Sequence, residues 1–206
     1  MAKSKSKSKS NSKGGLKQIF PRDKEFFSHI RNTGVITPQN YRNAGVSPSR
    51  IKAYAKAGYI EKTPKENGGA FGYKLTSDGK DFMERTWGME RAENYSFQSL
   101  NHDRKLEEEY YKIDHSQYEW KTESQARDMF EQKIEEIREQ DPIRADEIQK
   151  LWDNKEISMP DAIVINRTTG IATAVEIVTN SYGKQELQSK ELFVEVMEIE
   201  YKPVHA

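Results

Sequence analysis

The sequence predicts an α+β protein of two domains that follow a polar N-terminal tail, on three observations. Charge divides the chain into a basic half and an acidic half. Residues 20–93 contain repeated helix-start patterns and then two short strand patterns around a glycine-rich turn. Residues 94–206 contain a helix, three strands, a helix and a fourth strand, with a long charged helical stretch after the first strand. Runs of helices and strands in this order are typical of the α+β class.

The composition of the 206-residue chain excludes several classes of protein. It has no cysteine, which rules out disulfide frameworks, thiolate zinc sites and cysteine nucleophiles. It has no run of about 18 apolar residues, so we expect no membrane partner. The mean hydropathy of -0.95, and the lack of an apolar stretch behind the first lysines, predict a cytoplasmic protein.

The net charge of zero hides an asymmetry between the two halves. Residues 1–80 contain 17 Lys and Arg against 5 Asp and Glu, whereas residues 81–206 contain 16 against 28. A basic half favours a polyanionic partner such as DNA, and attraction between the two halves is the alternative. Residues 1–19 are a Lys/Ser-rich tail that we predict to be disordered, and it either adds phosphate contacts or only aids solubility.

Local capping patterns place the elements of residues 20–93. Thr37-Pro38 and Ser47-Pro48 each combine a helix N-cap with a proline at the first helical position. Gly58 then ends the helix that starts at Pro48. The predicted elements are helices over 22–32, 38–44, 48–57 and 77–87, and strands over 59–63 and 71–75.

This order of three helices, a hairpin and a helix is that of a winged helix-turn-helix. The stretches AGVSPSRIKAYAKAGYIEK (44–62) and GYKLTSDG (72–79), with LT-x-x-G at the end of the hairpin, resemble that family. The resemblance covers about residues 20–88 and implies a reader of duplex DNA whose second short helix enters the major groove. A winged helix that makes only protein contacts is the alternative.

The helix that starts at Pro48 supplies most of the predicted DNA contacts. Its periodicity turns Ile51, Tyr54 and Ala55 inward and leaves the opposite face for solvent or DNA. Arg50 is the expected base contact, because a guanidinium group can bind guanine with two hydrogen bonds. The predicted DNA-binding residues on this helix and on the hairpin are Ser47, Ser49, Arg50, Lys52, Lys56, Lys62, Lys65 and Lys74.

Residues 94–206 predict a second domain with a helical insertion. Its predicted elements are helices over 100–113 and 183–197, strands over 118–122, 160–166, 171–178 and 200–204, and a helical insertion over 124–152 broken near Asp141-Pro142. Without the insertion the order is αβββαβ. This order resembles the core of the PD-(D/E)xK, or restriction-endonuclease-like, proteins. The resemblance implies a pair of acids on adjacent strands.

Two acids match the metal-binding positions of that core. Pro160-Asp161 begins one strand, and Glu176 lies near the end of the next. The resemblance implies that Asp161 and Glu176 bind Mg²⁺ or Mn²⁺, with Glu107 or Glu108 as the upstream helical acid. The structural alternatives are a strand-start role for Asp161 and a salt bridge for Glu176, since an unpaired buried carboxylate is costly.

The lysine of the nuclease motif is missing from its usual place. In the family it follows the second acid by two positions, where this chain has Val178. Lys184, early in the next helix, is the candidate for a migrated lysine. The incomplete motif favours a domain that has lost nuclease activity.

A narrower resemblance joins the two halves. A winged helix followed by SLNHDRKLEEEYYKI (99–113) and by PDAIVI and AVEIVTNSYGKQEL resembles the replication-relaxation proteins of plasmids and mobile elements. Those proteins carry a histidine and an aspartate at a helix start, where this chain has His102 and Asp103. The resemblance covers about residues 20–200 and implies DNA handling for a mobile element.

These patterns lead to one main hypothesis and two alternatives. The main hypothesis is a DNA-binding protein of a plasmid, integrative element or phage, which needs no cofactor to bind DNA and carries an inactive nuclease-like domain for assembly or recruitment. A homodimer is expected if it reads paired half-sites. The alternatives are a Mg²⁺- or Mn²⁺-dependent endonuclease that uses Asp161 and Glu176, and an antagonist that binds a host nuclease through the acidic half.

Overall fold

The computed structural model describes residues 16, 18–64, 70–180 and 182–206, and over these residues the chain is mixed α+β. Eight α-helices and two small sheets form within them. Most of the predicted tail, and Lys65 in the hairpin turn, lie outside the described residues. Within the described residues, no helix combines the length and the apolar character needed to cross a lipid bilayer.

The helices of the N-terminal half begin where the capping patterns predict, although the Thr37 side chain makes no capping hydrogen bond. The first three helices each begin with a proline, and Ser47 Oγ caps the third by accepting a hydrogen bond from the Arg50 backbone N–H at 3.3 Å. Thr76 Oγ1 caps the fourth by accepting from Gly79 N at 3.0 Å. The elements are α1 (Pro21–Thr33), α2 (Pro38–Asn43), α3 (Pro48–Ala57), β1 (Ile60–Lys62), β2 (Tyr73–Leu75) and α4 (Ser77–Trp87). The predicted helices and strands are confirmed, with shorter strands.

The small sheet of this half has a third partner that the sequence analysis missed. β1 and β2 pair antiparallel, with Ile60 opposite Leu75. Ile36, just before α2, exchanges two backbone hydrogen bonds of 2.9 Å with Tyr73. A single bridging residue produces no alternating pattern of apolar residues, so this pairing of Ile36 with Tyr73 could not be predicted from the sequence.

An aromatic core holds the N-terminal helices together. Phe26 and Phe27 of α1 contact Tyr54 of α3, with ring centroids 4.9 and 5.0 Å apart, and Phe82 of α4 contacts Phe27. All four side chains are buried. The predicted inward face of α3 is correct for Ile51 and Tyr54 and wrong for Ala55, which is exposed. Ala57 takes the inward place instead, six positions after Ile51, because α3 ends against β1.

The C-terminal half is built on a mixed four-stranded sheet. A single 3-10 turn (Arg91–Glu93) leads into it. Its elements are α5 (Leu100–Lys112), β3 (Tyr118–Thr122), α6 (Glu123–Gln140), α7 (Pro142–Asp153), β4 (Ala162–Asn166), β5 (Ala172–Val178), α8 (Lys184–Met197) and β6 (Glu200–His205). The strand order is β3-β4-β5-β6, antiparallel except for the parallel pair β5-β6, which α8 connects.

Helices cover both faces of this sheet. Leu106 and Tyr110 of α5 pack with Trp120, Val175 and Ile177 on one face. On the other face Phe130 and Ile134 of α6 join Phe193 of α8 in a separate core. The helical insertion is therefore part of the core, because both α6 residues are essentially inaccessible to solvent. The narrow apolar stripe of this insertion does not by itself distinguish a surface helix from a coiled pairing.

The two halves pack closely against each other through α1 and α5. Trp120 Nε1 donates to Asn32 O at 3.2 Å, and the backbone N–H of Tyr95 donates to Arg31 O at 2.8 Å. Gly34, at the end of α1, has φ of 80°, and a Cβ atom there would lie 2.6 Å from Asp103 Oδ2. Only glycine allows this close approach. Asn94 and Tyr95 are buried in this junction, whereas Ser96, Gln98 and Ser99 after them are exposed.

Candidate functional site

The hairpin β4–β5 brings Asp161 and Glu176 together. Asn166 Oδ1 accepts hydrogen bonds from Thr168 N and Thr169 N at 2.9 and 3.0 Å, which shapes the turn and sets the register. Ala162 lies opposite Val175, so the next pair outward is Asp161 and Glu176. Asp161 N donates to Glu176 Oε2 at 3.0 Å, and Ile177 N donates to Asp161 Oδ2 at 2.8 Å. Both side chains are buried.

The lysine of this centre is Lys190, not the predicted Lys184. Lys190 Nζ lies 3.1 Å from Glu176 Oε1 and also donates to Met159 O. Lys184 is exposed at the first position of α8, six residues earlier. The apolar face of α8 is the sequence signal that could have identified Lys190. Leu187, Lys190 and Phe193 recur at intervals of three and therefore lie on one side of the helix. A lysine inside such a stripe points inward.

His102 joins the centre from the start of α5. Its Nε2 lies 3.1 Å from Asp161 Oδ2, and its Nδ1 lies 3.0 Å from Asp103 Oδ1. Ser99 caps α5 and accepts from His102 N at 3.3 Å, which orients the first turn of the helix toward the sheet. Because both ring nitrogens face carboxylates, the imidazole is held as a cation.

The junction segment supplies the remaining donors. Tyr95 OH donates to Asp161 Oδ1 at 2.9 Å. Gln98 Nε2 donates to Tyr95 OH at 2.8 Å, and Gln98 N donates to Asp103 Oδ2 at 3.2 Å. Tyr182, which precedes α8, donates its hydroxyl to Glu176 Oε1 at 2.6 Å. Tyr95 and Gln98 come from one segment and Tyr182 from another, and no sequence pattern connects the two.

The pKa shifts follow from burial and from the two protein cations. Burial lowers the pKa of His102, but its contacts with Asp103 and Asp161 outweigh this and raise it to about 9. Burial also acts to raise the pKa of Asp161, yet His102 holds it below its ordinary value. The pKa of Glu176 is raised by burial and by the charge of Asp161, against the lowering effect of Lys190. The centre is a network of opposite charges.

The carboxylates in this arrangement do not fit a divalent metal ion. Both oxygens of Asp161 and both of Glu176 already accept from, or pair with, protein donors. Two protein cations, His102 and Lys190, lie against them where a metal ion would have to bind. A cation could enter only by displacing these groups.

The predicted helical acids lie elsewhere. Glu107 is five positions after His102, about 140° further round α5. Its Oε1 accepts from the backbone N–H of Thr37 at 2.9 Å, across the junction of the two halves. Glu108 is exposed and pairs with Lys105 at 3.1 Å. The assignment of Glu107 as a metal ligand beside Asp161 and Glu176 is therefore not supported by its position.

The predicted base contact Arg50 is engaged inside the protein. Its Nε lies 3.2 Å from Asp23 Oδ1 and 3.3 Å from Tyr54 OH, and a terminal nitrogen pairs with Asp23 Oδ2. The same guanidinium donates to Gln18 O at 2.6 Å. Asp23 is completely buried, so Arg50 neutralises its charge. Arg50 is not free to contact a base, because its position in α3 turns it toward α1.

Two other predicted residues of α3 are free to contact DNA. Lys52 and Lys56 are exposed one turn apart, and neither has an ion-pair partner among the residues that the structure describes. Ser47 Oγ serves as the helix cap and lies 2.9 Å from Ser49 Oγ, so both serines sit at the exposed N-terminus of α3. The result is a polar surface with two unpaired positive charges.

The two described hairpin lysines both contact other side chains of the protein, but to different extents. Lys62 Nζ lies 4.0 Å from the ring centroid of Phe71, a cation–π contact that leaves the residue exposed. Lys74 pairs with Glu61 at 3.4 Å and lies over Phe97 at 4.8 Å. Lys62 therefore remains available on the hairpin, and Lys74 is largely neutralised.

Comparison with protein-family models, with curated proteins and with solved structures finds no match for this chain. The resemblances drawn from short motifs accordingly stay predictions. The geometry itself supplies two features on which a function can be argued: a buried ionic centre around Asp161 and Glu176, and an exposed basic surface on α3.

Proposed function

We propose that this chain is a cytoplasmic, duplex DNA-binding protein of a mobile element, whose winged helix-turn-helix binds DNA and whose nuclease-like domain is inactive. The observation that carries the proposal is the pair of exposed, unpaired lysines, Lys52 and Lys56, on the outward face of α3. The inward face of the same helix is fixed by the buried side chains of Ile51 and Tyr54.

The positive charge of this surface favours DNA as its partner. A lysine without a protein partner can neutralise a phosphate and release condensed counterions, which favours binding at low salt. Lys62 on the hairpin extends the same positive surface. Because Arg50 pairs with Asp23, α3 has no free guanidinium group to hydrogen-bond to a base. We therefore expect Ser49 and the exposed lysines to contact mainly the DNA backbone. We therefore expect salt-sensitive binding with modest sequence preference.

The carboxylates of Asp161 and Glu176 are already bound by other groups of the protein, which supports an inactive second domain. The strand order, the paired acids and the lysine on α8 support a nuclease-like ancestry. The side chains of Asp161 and Glu176 are nevertheless satisfied by His102, Lys190, Tyr95 and Tyr182. Such a network stabilises the junction of the two halves, because Tyr95 and His102 connect the sheet to the elements beside α1.

The first prediction concerns the salt dependence of DNA binding. Lys52→Ala and Lys56→Ala should each reduce the slope of log affinity against log salt by about one, because each removes about one phosphate contact. Lys150→Ala is the matched control, since Lys150 is also an exposed helical lysine but lies on α7 in the acidic half. Fluorescence anisotropy on a labelled duplex measures all three slopes. Equal slopes in every variant would remove α3 from the DNA interface.

The same binding reactions test nuclease activity. Run in parallel with Mn²⁺ and with EDTA, they should leave the DNA intact in both. Shortened DNA that requires Mn²⁺ and disappears in Asp161→Asn would overturn the inactive assignment and make the chain an endonuclease. Retained DNA binding by Asp161→Asn shows that this variant is folded.

A further inference from the structure

A cavity of about 260 Å³ lies where α1, the hairpin and α4 meet the segment that leads into α5. Its apolar side is formed by Ile30, Leu75 and Tyr95, and its polar side by Lys74, Lys80 and Ser96. No carboxylate lines it among the residues that the structure describes. The volume suits a small anion with several water molecules better than a drug-sized ligand.

Lys80 is a cation without a counter-ion in this cavity. It is partly buried on α4, and its ammonium group makes no ion pair or hydrogen bond within the described parts of the chain. Glu84, one turn further along α4, is exposed and does not pair with it. Burial and the nearby charge of Arg91 lower the pKa of Lys80. A partly desolvated charge without a partner costs free energy, and a bound anion would offset that cost.

The other polar side chains of the cavity can also donate to an anion. Lys74 pairs with Glu61 at 3.4 Å, so it keeps only a small part of its charge free. Ser96 is exposed, and its hydroxyl has no hydrogen-bond partner in the described ranges. The buried side chains of Ile30 and Tyr95 exclude water from one side of the cavity, which strengthens the attraction between a cation and an anion there.

We propose that this cavity binds a phosphate group, with Lys80 as its main counter-ion and the Ser96 hydroxyl as a second donor. A phosphate monoester carries three acceptor oxygens and about 1.5 to 2 negative charges near pH 7, which matches a cavity whose polar side chains can all donate. The source is either a free phosphate ion or ester, or a backbone phosphate of bound DNA. The described lining includes no residue of α3, so the site goes beyond the proposed function.

Calorimetric titration of the full chain with inorganic phosphate at constant ionic strength tests the site. We expect saturable binding of one phosphate per chain, whereas chloride titrated in the same way should show none. Phosphate also stabilises folded proteins by exclusion from their surface, so the isotherm decides and not a rise in melting temperature. An isotherm without saturation, or the same heat with chloride, would overturn the proposal.

Two variants test the named groups. Lys80→Met keeps the apolar length of the side chain and should weaken phosphate by at least about tenfold, because it removes a donor whose charge has no protein partner. Its stability to urea in phosphate-free buffer should not fall, since no protein group loses an ion pair. Ser96→Ala should weaken phosphate by a smaller factor. Lys150→Met, at an exposed lysine of α7, is the matched control and should change neither property. An unchanged phosphate affinity in Lys80→Met would contradict the assignment.

Duplex binding by the same variant separates the two sources and the two proposals. If Lys80→Met reduces the slope of log affinity against log salt by about one, the bound group is a backbone phosphate of DNA. An unchanged slope, together with lost binding of inorganic phosphate, assigns the site to a free phosphate ion or ester. Duplex binding without saturable phosphate binding removes this site alone. Phosphate binding without duplex binding removes the proposed function and leaves the cavity assigned.

Discussion

At the scale of single residues, Arg50 illustrates how a buried neighbouring charge overrides the outward position that helix periodicity predicts for a side chain. On an isolated α3 it lies between Ser49 and Lys52 and belongs to the polar face. In the folded chain, the carboxylate of Asp23 on α1 is completely buried and draws the guanidinium inward. Removal of one partner from a buried ion pair is strongly destabilising, because the other charge is left without compensation.

The residue-scale prediction is therefore a loss of stability. Arg50→Met should lower the free energy of unfolding by about 3 kcal/mol, since Asp23 keeps only its neutral hydrogen-bond donors. Arg42→Met, an exposed arginine on α2, is the control and should have little effect. Urea unfolding followed by circular dichroism measures both. If Arg50→Met kept full stability but lost DNA affinity, the residue would belong to the DNA surface after all.

At the scale of elements, the start of α5 is docked on the sheet by charge. His102 bridges Asp103 of its own helix and Asp161 at the head of β4. The N-terminus of a helix disfavours a positive charge, so the carboxylates must outweigh both this field and the cost of burial. The raised pKa of His102, about 9, reflects that balance.

The element-scale prediction concerns pH. A folded-state pKa of about 9, above the ordinary value of 6.5, means that His102 stabilises the fold fully below pH 6.5 and loses this effect as pH rises through 9. The difference in unfolding free energy between the wild type and His102→Asn should shrink by about 3 kcal/mol from about pH 6 to about pH 10.

A second histidine provides the control for this pH series. Burial lowers the pKa of His115, so above about pH 8 this histidine is neutral in both the folded and the unfolded state, and His115→Asn should differ from the wild type by a constant amount from there to about pH 10. Chemical unfolding at several pH values measures each difference. A difference for His102→Asn that does not change with pH would show that folding does not raise the pKa of His102.

At the scale of the whole molecule, the two halves share one interface and should unfold together. The junction contains Trp120 against Asn32, and Tyr95 against both Arg31 and Asp161. Because Tyr95 is buried between the halves, the chain at this point is not a free linker along which one half could unfold alone. The basic half and the acidic half of the sequence are therefore not two structurally independent domains.

The whole-molecule prediction is a single cooperative transition. Phe26→Ala in the N-terminal core and Phe193→Ala in the C-terminal core should each lower the stability of the entire chain by about 3–5 kcal/mol. Ile143→Ala, at a residue that is 75% exposed, is the control. Hydrogen exchange read in both halves measures the effect. Protection lost only in the half that carries the substitution would mean that the halves unfold separately.

Local chemistry made most elements predictable. Proline at the starts of α2 and α3, and the capping hydroxyls of Ser47 and Thr76, act within one turn, so the bounds of α2, α3 and α4 could be derived from the sequence. The pairing of Asp161 with Glu176 was predictable for a similar reason, because a short hairpin fixes which residues are opposite. The burial of α6 was not, since its apolar stripe does not show what packs against it.

What the sequence alone determined is the order and class of the elements, the adjacent acids on β4 and β5, and the outward lysines of α3. Only the tertiary structure decided that Lys190 and not Lys184 meets Glu176, that Arg50 belongs to Asp23, and that Glu107 accepts from Thr37 across the junction of the halves. Periodicity and capping operate over a few residues, whereas these contacts join segments 14 to 70 positions apart. Which side chains pair across these distances depends on which charges become buried, and that burial exists only once the chain is folded.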